Sequence, residues 1–321
     1  MPSRFHRHRK SRGLCLLRGL LPMQQGLRWL AAGLLALTLA ACVSQPLAGV
    51  PLVANPLLDE LSGLAVSHAD PTFLWAHNDS GDGPNLFRVG FAGEDLGRVT
   101  IEGAKAVDWE DIATFDWQGQ PAVLIGDIGD NNARHAQSTL YVVTDPGRSG
   151  VPKLLWTLKF RYPDGPRDCE SLAVDPVDHV ILLLSKRDFP PRLYALPMPA
   201  EATDVPELST ATFLGPVETI PEPTLGDLTQ PLYLGILSSL PTAMDISRDG
   251  AFAVVTTYGD AYLYRRQPGQ PWIQVFAQKP VRIPLPHLKQ TEAGAISADG
   301  RSLFVSTEQR PTPLVRVPLP P

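Results

Sequence analysis

The sequence predicts an all-β chain closed into a single β-propeller of four-stranded antiparallel blades, with five blades favoured and six possible. Three observations carry this. Short β-branched and aromatic runs lie between turn residues, such as Phe73-Leu74-Trp75, Ala122-Val123-Leu124-Ile125, Val180-Ile181-Leu182-Leu183-Leu184 and Ala253-Val254-Val255-Thr256. No long stretch with a 3.6-residue apolar period follows Cys42, so the elements read as strands. Finally, the chain repeats itself: Ile246-Ser247-Arg248-Asp249-Gly250 and Ile296-Ser297-Ala298-Asp299-Gly300 open two units lying 50 residues apart. Periods of roughly 40–50 residues with several strands each are the signature of propeller blades.

Each unit reads as a strand, an Asp-Gly hairpin and a second strand. Weaker copies begin at Gly63-Leu64-Ala65, Asp111-Ile112-Ala113 and Ser171-Leu172-Ala173, each followed by an apolar second strand and then a third. The first strands centre near Ala65, Ala113, Ala173, Asp245 and Ala295, at spacings of 48, 60, 72 and 50 residues. The longest interval holds a Pro-rich stretch from Ile220 to Pro231, read as an insertion or as a degenerate sixth blade. Too little chain follows Ala295 for four strands. A segment near Leu47–Val53 is expected to supply the missing one and close the ring, which removes exposed sheet edges.

Residues 1–41 read as an export leader. Basic residues without any acid precede the apolar core Leu30–Leu37, and Leu39-Ala40-Ala41-Cys42 follows it. The last four residues resemble the lipobox of bacterial lipoproteins, which implies acylation of Cys42 as the new N-terminus. A transmembrane anchor is the other reading, but the apolar run is shorter than the roughly 18–20 residues a span needs. Met23 would start a more ordinary leader than Met1. Val43 after the cysteine points to the outer membrane, facing the periplasm, under the sorting rule of enteric bacteria. The expected organisation is therefore leader 1–41, lipidated and ring-closing segment 42–56, and propeller 57–321.

Removing seven of the 28 basic residues with the leader leaves 21 against 33 acidic ones, a net charge of −12. Such a surface excludes nucleic acid, which needs clustered Lys and Arg. Cationic partners suit it better, although acidity also serves plain solubility. Cys169 has no partner for an internal disulfide and reads as a packed core thiol, with a reactive thiol as the alternative.

Propeller polarity sorts the acids. The Asp-Gly hairpins fall on one face; the approaches to the first strands and the loops after the second strands fall on the other. On that second face lie Glu60, Asp108, Glu110, Asp168, Glu170 and Glu292, with Glu110, Glu170 and Glu292 in one column and Asp108 and Asp168 in another. After the second strands come Asn78-Asp79-Ser80-Gly81-Asp82-Gly83 and Gly126-Asp127-Ile128-Gly129-Asp130-Asn131. Asp79 lies 14 residues beyond Ala65 and Asp127 lies 14 beyond Ala113, which equates the two loops.

Converging carboxylates repel one another unless a cation joins them. Ca²⁺ takes six to eight oxygens in flexible geometry. The expected ligand set is Asp79, Asp82, Asp108, Glu110, Asp127, Asp130, Asp168, Glu170 and Glu292. The alternative is that these Asp and Gly residues only make turns. The histidines after the leader are scattered singly, so no zinc pattern competes. His77, Arg134, His135, Lys186 and Arg187 lie near the acidic loops, and could bind an anion or move protons if the fold puts them on the same face. Glu110, Glu170 and His77 are the candidate catalytic residues.

The segments His77–Asp82, Val107–Ala113 and Gly126–Asn131 resemble a family of exported bacterial propeller lipoproteins of unassigned function. A looser similarity links them to the esterase-like phytase group and the gluconolactonase-type propellers. That resemblance implies a metal ringed by acids in a pocket. Two functions follow: a calcium-dependent hydrolase of esters or phosphoesters acting on a small anionic substrate, or a non-catalytic scaffold that binds an envelope protein. In both, the lipid on Cys42 makes the membrane a partner.

Overall fold

Every repeat recognised in the sequence folds into one blade, and each blade's first strand lines a central channel. The structure, a computed structural model, describes residues 49–321 apart from 233, 234 and 309. The leader and Cys42 lie outside the described residues. The first blade is β1 (Leu61–Val66), β2 (Phe73–Asn78), β3 (Asn85–Gly90) and β4 (Asp95–Thr100). The second is β5 (Trp109–Trp117), β6 (Gln120–Asp127), β7 (Ser138–Thr144) and β8 (Leu154–Arg161). The third is β9 (Cys169–Asp175), β10 (Val180–Ser185), β11 (Arg192–Pro197) and β13 (Thr212–Pro216); the short β12 (Ser209–Thr210) instead pairs in parallel with β8. The fourth is β14 (Pro241–Ile246), β15 (Phe252–Thr257), β16 (Asp260–Arg265) and β17 (Val281–Pro284), with a single helical turn, α1 (Trp272–Phe276), before its last strand. The fifth has β18 (Thr291–Ile296), β19 (Ser302–Thr307) and β20 (Val315–Pro318).

The N-terminal segment completes the fifth blade. Leu52 bridges Pro313 antiparallel, the Val53 N–H bonds the Thr312 carbonyl at 2.9 Å, and the Leu314 N–H bonds that of Pro51 at 2.9 Å. The protein is thus a five-bladed propeller closed by its own N-terminal segment. The Pro-rich interval adds no sixth blade. It runs from β13 to β14 with one short 3-10 turn, Leu225–Thr229, and no strand among its described residues.

Burial follows distance from the axis. β1, β9 and β18 are buried along their whole length, whereas the outer β4 is mostly exposed. Five hydrophobic cores result, one between each pair of neighbouring blades, including one that joins the fifth blade to the first. Inner strands converge, which is why small residues recur on them. A side chain on Gly294 of β18 would strike Thr256 of the fourth blade. Cys169 is one of these inner residues, buried, with its thiol pushed up to about 12 by burial. It is a core cysteine.

The Asp-Gly hairpins are structural turns at the far end of the channel. Gly250 and Gly300 both take φ near +69°, a conformation that favours glycine, and Ser247 and Ser297 bond Asp249 and Asp299 at 2.6 Å. The inner strands' unpaired edges face the channel, and one buried and one half-buried carboxylate satisfy part of them. Asp111 of β5 accepts the N–H groups of Leu172 on β9 at 2.8 Å and Met244 on β14 at 3.1 Å. Asp245 of β14 accepts that of Ile296 on β18 at 2.8 Å.

Candidate functional site

All five inner strands carry a β-bulge at the same level, and four of the five bulged residues line the channel mouth. Pairing skips one residue between Leu61 and Gly63, Trp109 and Asp111, Pro241 and Ala243, and Thr291 and Ala293. In β9 the partners of Cys169 and Ser171 are the adjacent residues Ser185 and Leu184, which leaves Glu170 extra. The five bulged residues are therefore Ser62, Glu110, Glu170, Thr242 and Glu292. A bulge re-aims a side chain, and such features gather next to functional sites. This explains the glutamate column seen in the sequence. It also supplies two members that the sequence reading missed, Ser62 and Thr242, because they carry hydroxyls instead of acids.

A second ring sits above the first. Two residues before each bulge, a backbone carbonyl accepts an N–H from the end of the second strand. The pairs are Glu60 with Asp79 at 2.9 Å, Asp108 with Ile128 at 3.1 Å and Asp168 with Lys186 at 3.1 Å. Leu240 with Tyr258 and Gln290 with Glu308, both at 3.3 Å, complete the set. Asp79, Ile128, Lys186, Tyr258 and Glu308 are thus equivalent positions.

This corrects the register that equated Asp79 with Asp127. Ala65 pairs with Trp75 but Ala113 pairs with Leu124, so the hairpin of the second blade is one residue longer. Asp127 is the counterpart of Asn78. Each side chain accepts the N–H that precedes its own bulge, Asn78 that of Glu60 at 3.2 Å and Asp127 that of Asp108 at 2.8 Å.

Six of the nine expected ligands converge: Asp79, Asp108, Glu110, Asp168, Glu170 and Glu292 surround the mouth. Two triads have carboxylate oxygens all within 4.8 Å of one another, an open one of Asp79, Asp108 and Glu110 and a buried one of Glu110, Asp168 and Glu170. Asp82, Asp127 and Asp130 instead hold backbone and loop. Asp82 accepts from Gly83 and from the Asn85 amide, and Asp130 accepts the His135 N–H at 2.6 Å. His77 does not reach the mouth. Its ring is fully buried, edge-on to Trp109 at 5.6 Å, and burial pulls its pKa down to about 4. Gly63 provides the room for that ring.

Two cations complete the site. Lys186 is buried, its ammonium bonded to Glu170, 3.8 Å from Glu292 and 4.7 Å from the centre of the Tyr258 ring. Arg187 bonds Asp168 and the side chain of Asn131. The mouth encloses a cavity of about 220 Å³.

Its electrostatics follow from crowding. Burial, then the Asp79 and Asp168 carboxylates, push Asp108 up to about 7. Burial and Glu170 hold Glu110 well above the usual carboxylate range. Burial raises Glu170 and Glu292 although Lys186 opposes it. Burial pulls Lys186 down, but Glu170 and Glu292 more than offset it and hold the ammonium well above its ordinary value. Glu308, absent from the sequence reading, is pushed up to about 7 by burial and by Glu292.

Fold and site together define a five-bladed β-propeller with an acidic mouth at one end of its channel. No protein-family profile and no curated protein matches the chain. Among solved structures it is similar to a chain of the nidogen/laminin complex, at 14% identity over 78% of this chain and 73% of that one, with a TM-score of 0.41. It is similar to U3-55K at 11% identity over 81% and 68%, TM-score 0.38. It is also similar to Kuenenia stuttgartiensis hydrazine synthase at 9% over 80% and 83%, TM-score 0.42. These likenesses concern the course of the chain; the architecture rests on this chain's own strand pairing.

Proposed function

We propose that this protein is a lipid-anchored propeller of the cell envelope that binds Ca²⁺ at its acidic mouth and hydrolyses a small anionic ester or phosphoester there. One observation carries the reading: Glu110 stands in two carboxylate triads whose oxygens lie within 4.8 Å of one another. That separation suits one ion with oxygens at about 2.3–2.6 Å. Asp79, Asp108, Glu110, Asp168 and Glu170 are the residues that would hold it. When bound, such an ion polarises the substrate and neutralises developing negative charge.

The chain's own groups supply the remaining chemistry. Asp108, whose carboxyl is pushed up to about 7 by burial and neighbouring acids in the ion-free chain, would release its proton on taking up the ion. Lys186 and Arg187 sit beside the cavity, where an anionic substrate needs positive charge. His77 has no part in this scheme, because its buried ring does not line the mouth. The lipobox-like Leu39–Cys42 supports the anchor, and the acid-rich surface supports a role that excludes nucleic acid.

The test pairs calorimetric Ca²⁺ titration with turnover of phosphomonoester, aryl-ester and lactone panels, for the wild type and Glu110→Gln. Ion binding and turnover that are both lost in the variant are expected. A second reading, a non-catalytic envelope scaffold, is favoured by the internal neutralisation of Glu170 by Lys186. Ion binding without turnover on any panel, together with capture of an envelope protein through the same face, would select it.

A further inference from the structure

We infer that Lys186, with Arg187 beside it, occupies the buried triad as a built-in counter-ion, limits the mouth to one divalent ion, and places that ion on Asp79, Asp108 and Glu110. The inference rests on the cation-binding reading above and narrows it. The two triads share Glu110 and are otherwise alike in chemistry, so the acids alone do not say how many ions enter.

The difference between them lies in what already touches the acids. In the buried triad, Glu170 bonds the Lys186 ammonium and Asp168 bonds the Arg187 guanidinium. Two of its three carboxylates are therefore neutralised from within the chain. Lys186 is held there on several sides, by Glu170, by Glu292 at 3.8 Å and by the face of Tyr258 at 4.7 Å, and its side chain is only 5% exposed. A divalent ion on Glu170 would share that oxygen pair with an ammonium of like charge. In the open triad, Asp79, Asp108 and Glu110 make no ion pair with Lys or Arg among the described residues. Lys186 acts on Asp79 and Glu110 only from beyond ion-pair distance, and two of the three acids are only partly buried.

The blade symmetry gives the arrangement its logic. Lys186 stands at the position that Asp79 holds in the first blade, after an equivalent carbonyl bond. The same backbone site thus contributes a ligand on one side of the mouth and a cation on the other. Lys186 is in this sense a specificity-determining residue for the number and position of ions.

The experiment is Ca²⁺ titration of the full chain in detergent by calorimetry, with melting curves in parallel. The wild type is expected to bind one ion. Lys186→Met, which keeps length and removes charge, is expected to bind two, and Lys186→Arg one. A Lys186→Met protein that binds one ion with unchanged affinity, or a wild type that binds two, would overturn the inference while leaving the cation site standing. A wild type that binds none while Lys186→Met binds an ion would overturn both the proposed function and the inference, since the wild type would then hold no ion for Lys186 to place. Binding by neither would overturn both. Should Lys186→Met fail to fold, two charge-neutral ligand variants decide. Asp79→Asn is expected to weaken the single ion about tenfold or more, and Asp168→Asn by less than about threefold, since ligand charge sets affinity. The reverse order would place the ion in the buried triad and overturn the inference.

Discussion

Asp111 and Met244 are separated by 133 residues in the chain and joined by a 3.1 Å hydrogen bond, the Asp111 carboxylate accepting the Met244 N–H. The same oxygen accepts the Leu172 N–H at 2.8 Å, so one buried side chain clasps the inner strands of three blades. Burial also raises its pKa well above the usual carboxylate range. Asp111→Ala would take a carboxylate acceptor from three buried N–H groups, those of Leu172, Met244 and the adjoining Ile112, at a cost of at least roughly 3 kcal/mol. Asp111→Asn keeps an acceptor oxygen and should lose less. Denaturant unfolding of both variants measures the difference.

Stability of the ion-free protein should fall as pH rises from about 4 to about 7. The sign follows from linkage. Asp108 has its pKa raised by burial and by its acidic neighbours to about 7 in the folded protein. Its contribution is therefore complete below the unfolded value and lost as pH climbs through the folded one. Asp245, raised to about 7 by burial, and Glu308 act in the same direction. Asp108→Asn should flatten part of this decline, seen as a smaller difference in Tm between pH 5 and pH 8 in EDTA. An unchanged profile would remove Asp108 from the account.

Gly129 packs directly against two of the proposed ligands, Glu110 and Asp108. A methyl group on it would strike the carboxylates of Glu110 and Asp108. Gly129→Ala should therefore weaken Ca²⁺ binding, by about tenfold if both ligands are displaced. All three atoms struck belong to side-chain carboxylates rather than backbone, so Tm in EDTA should move little. Loss of Tm without any loss of affinity would separate Gly129 from the site.

Ring closure depends on a short contact. Val53 is buried between the fifth and first blades and pairs with Thr312, while Ala54 bonds Gly93 at 2.8 Å. Removing residues 49–54 from the chain exposes the edge beyond Pro313 and should cost at least the roughly 2 kcal/mol of burying one valine. An open edge also invites strand addition. Lower Tm and concentration-dependent association in size-exclusion chromatography are the expected outcomes.

The propeller was legible because its evidence is local. Asp249-Gly250 and Asp299-Gly300 announce hairpins, and the small residues of Ala65, Ala113, Ala173 and Ala295 recur because inner strands converge. The glutamate column was legible for the same reason: Glu110, Glu170 and Glu292 each stand three residues before an inner alanine. Equivalence after the second strands was harder to read. One additional residue in the second hairpin slid Asp127 onto the position of Asn78, and nothing in the spacing marks where that residue entered.

By itself, the amino-acid order determined an all-β repeat and the columns of acids, since turn chemistry and side-chain size act over a few residues; the choice of five blades over six came from the strand pairing. Tertiary structure alone decided what those acids meet. It sent His77 behind the mouth against Trp109, used Asp82, Asp127 and Asp130 to hold loops, and brought Lys186 of the third blade onto Glu170 and Glu292. The reason is geometric. A closed ring brings together strand ends far apart in sequence, and a bulge decides which side chain turns inward, so charge pairing at the axis is a property of the assembled blades.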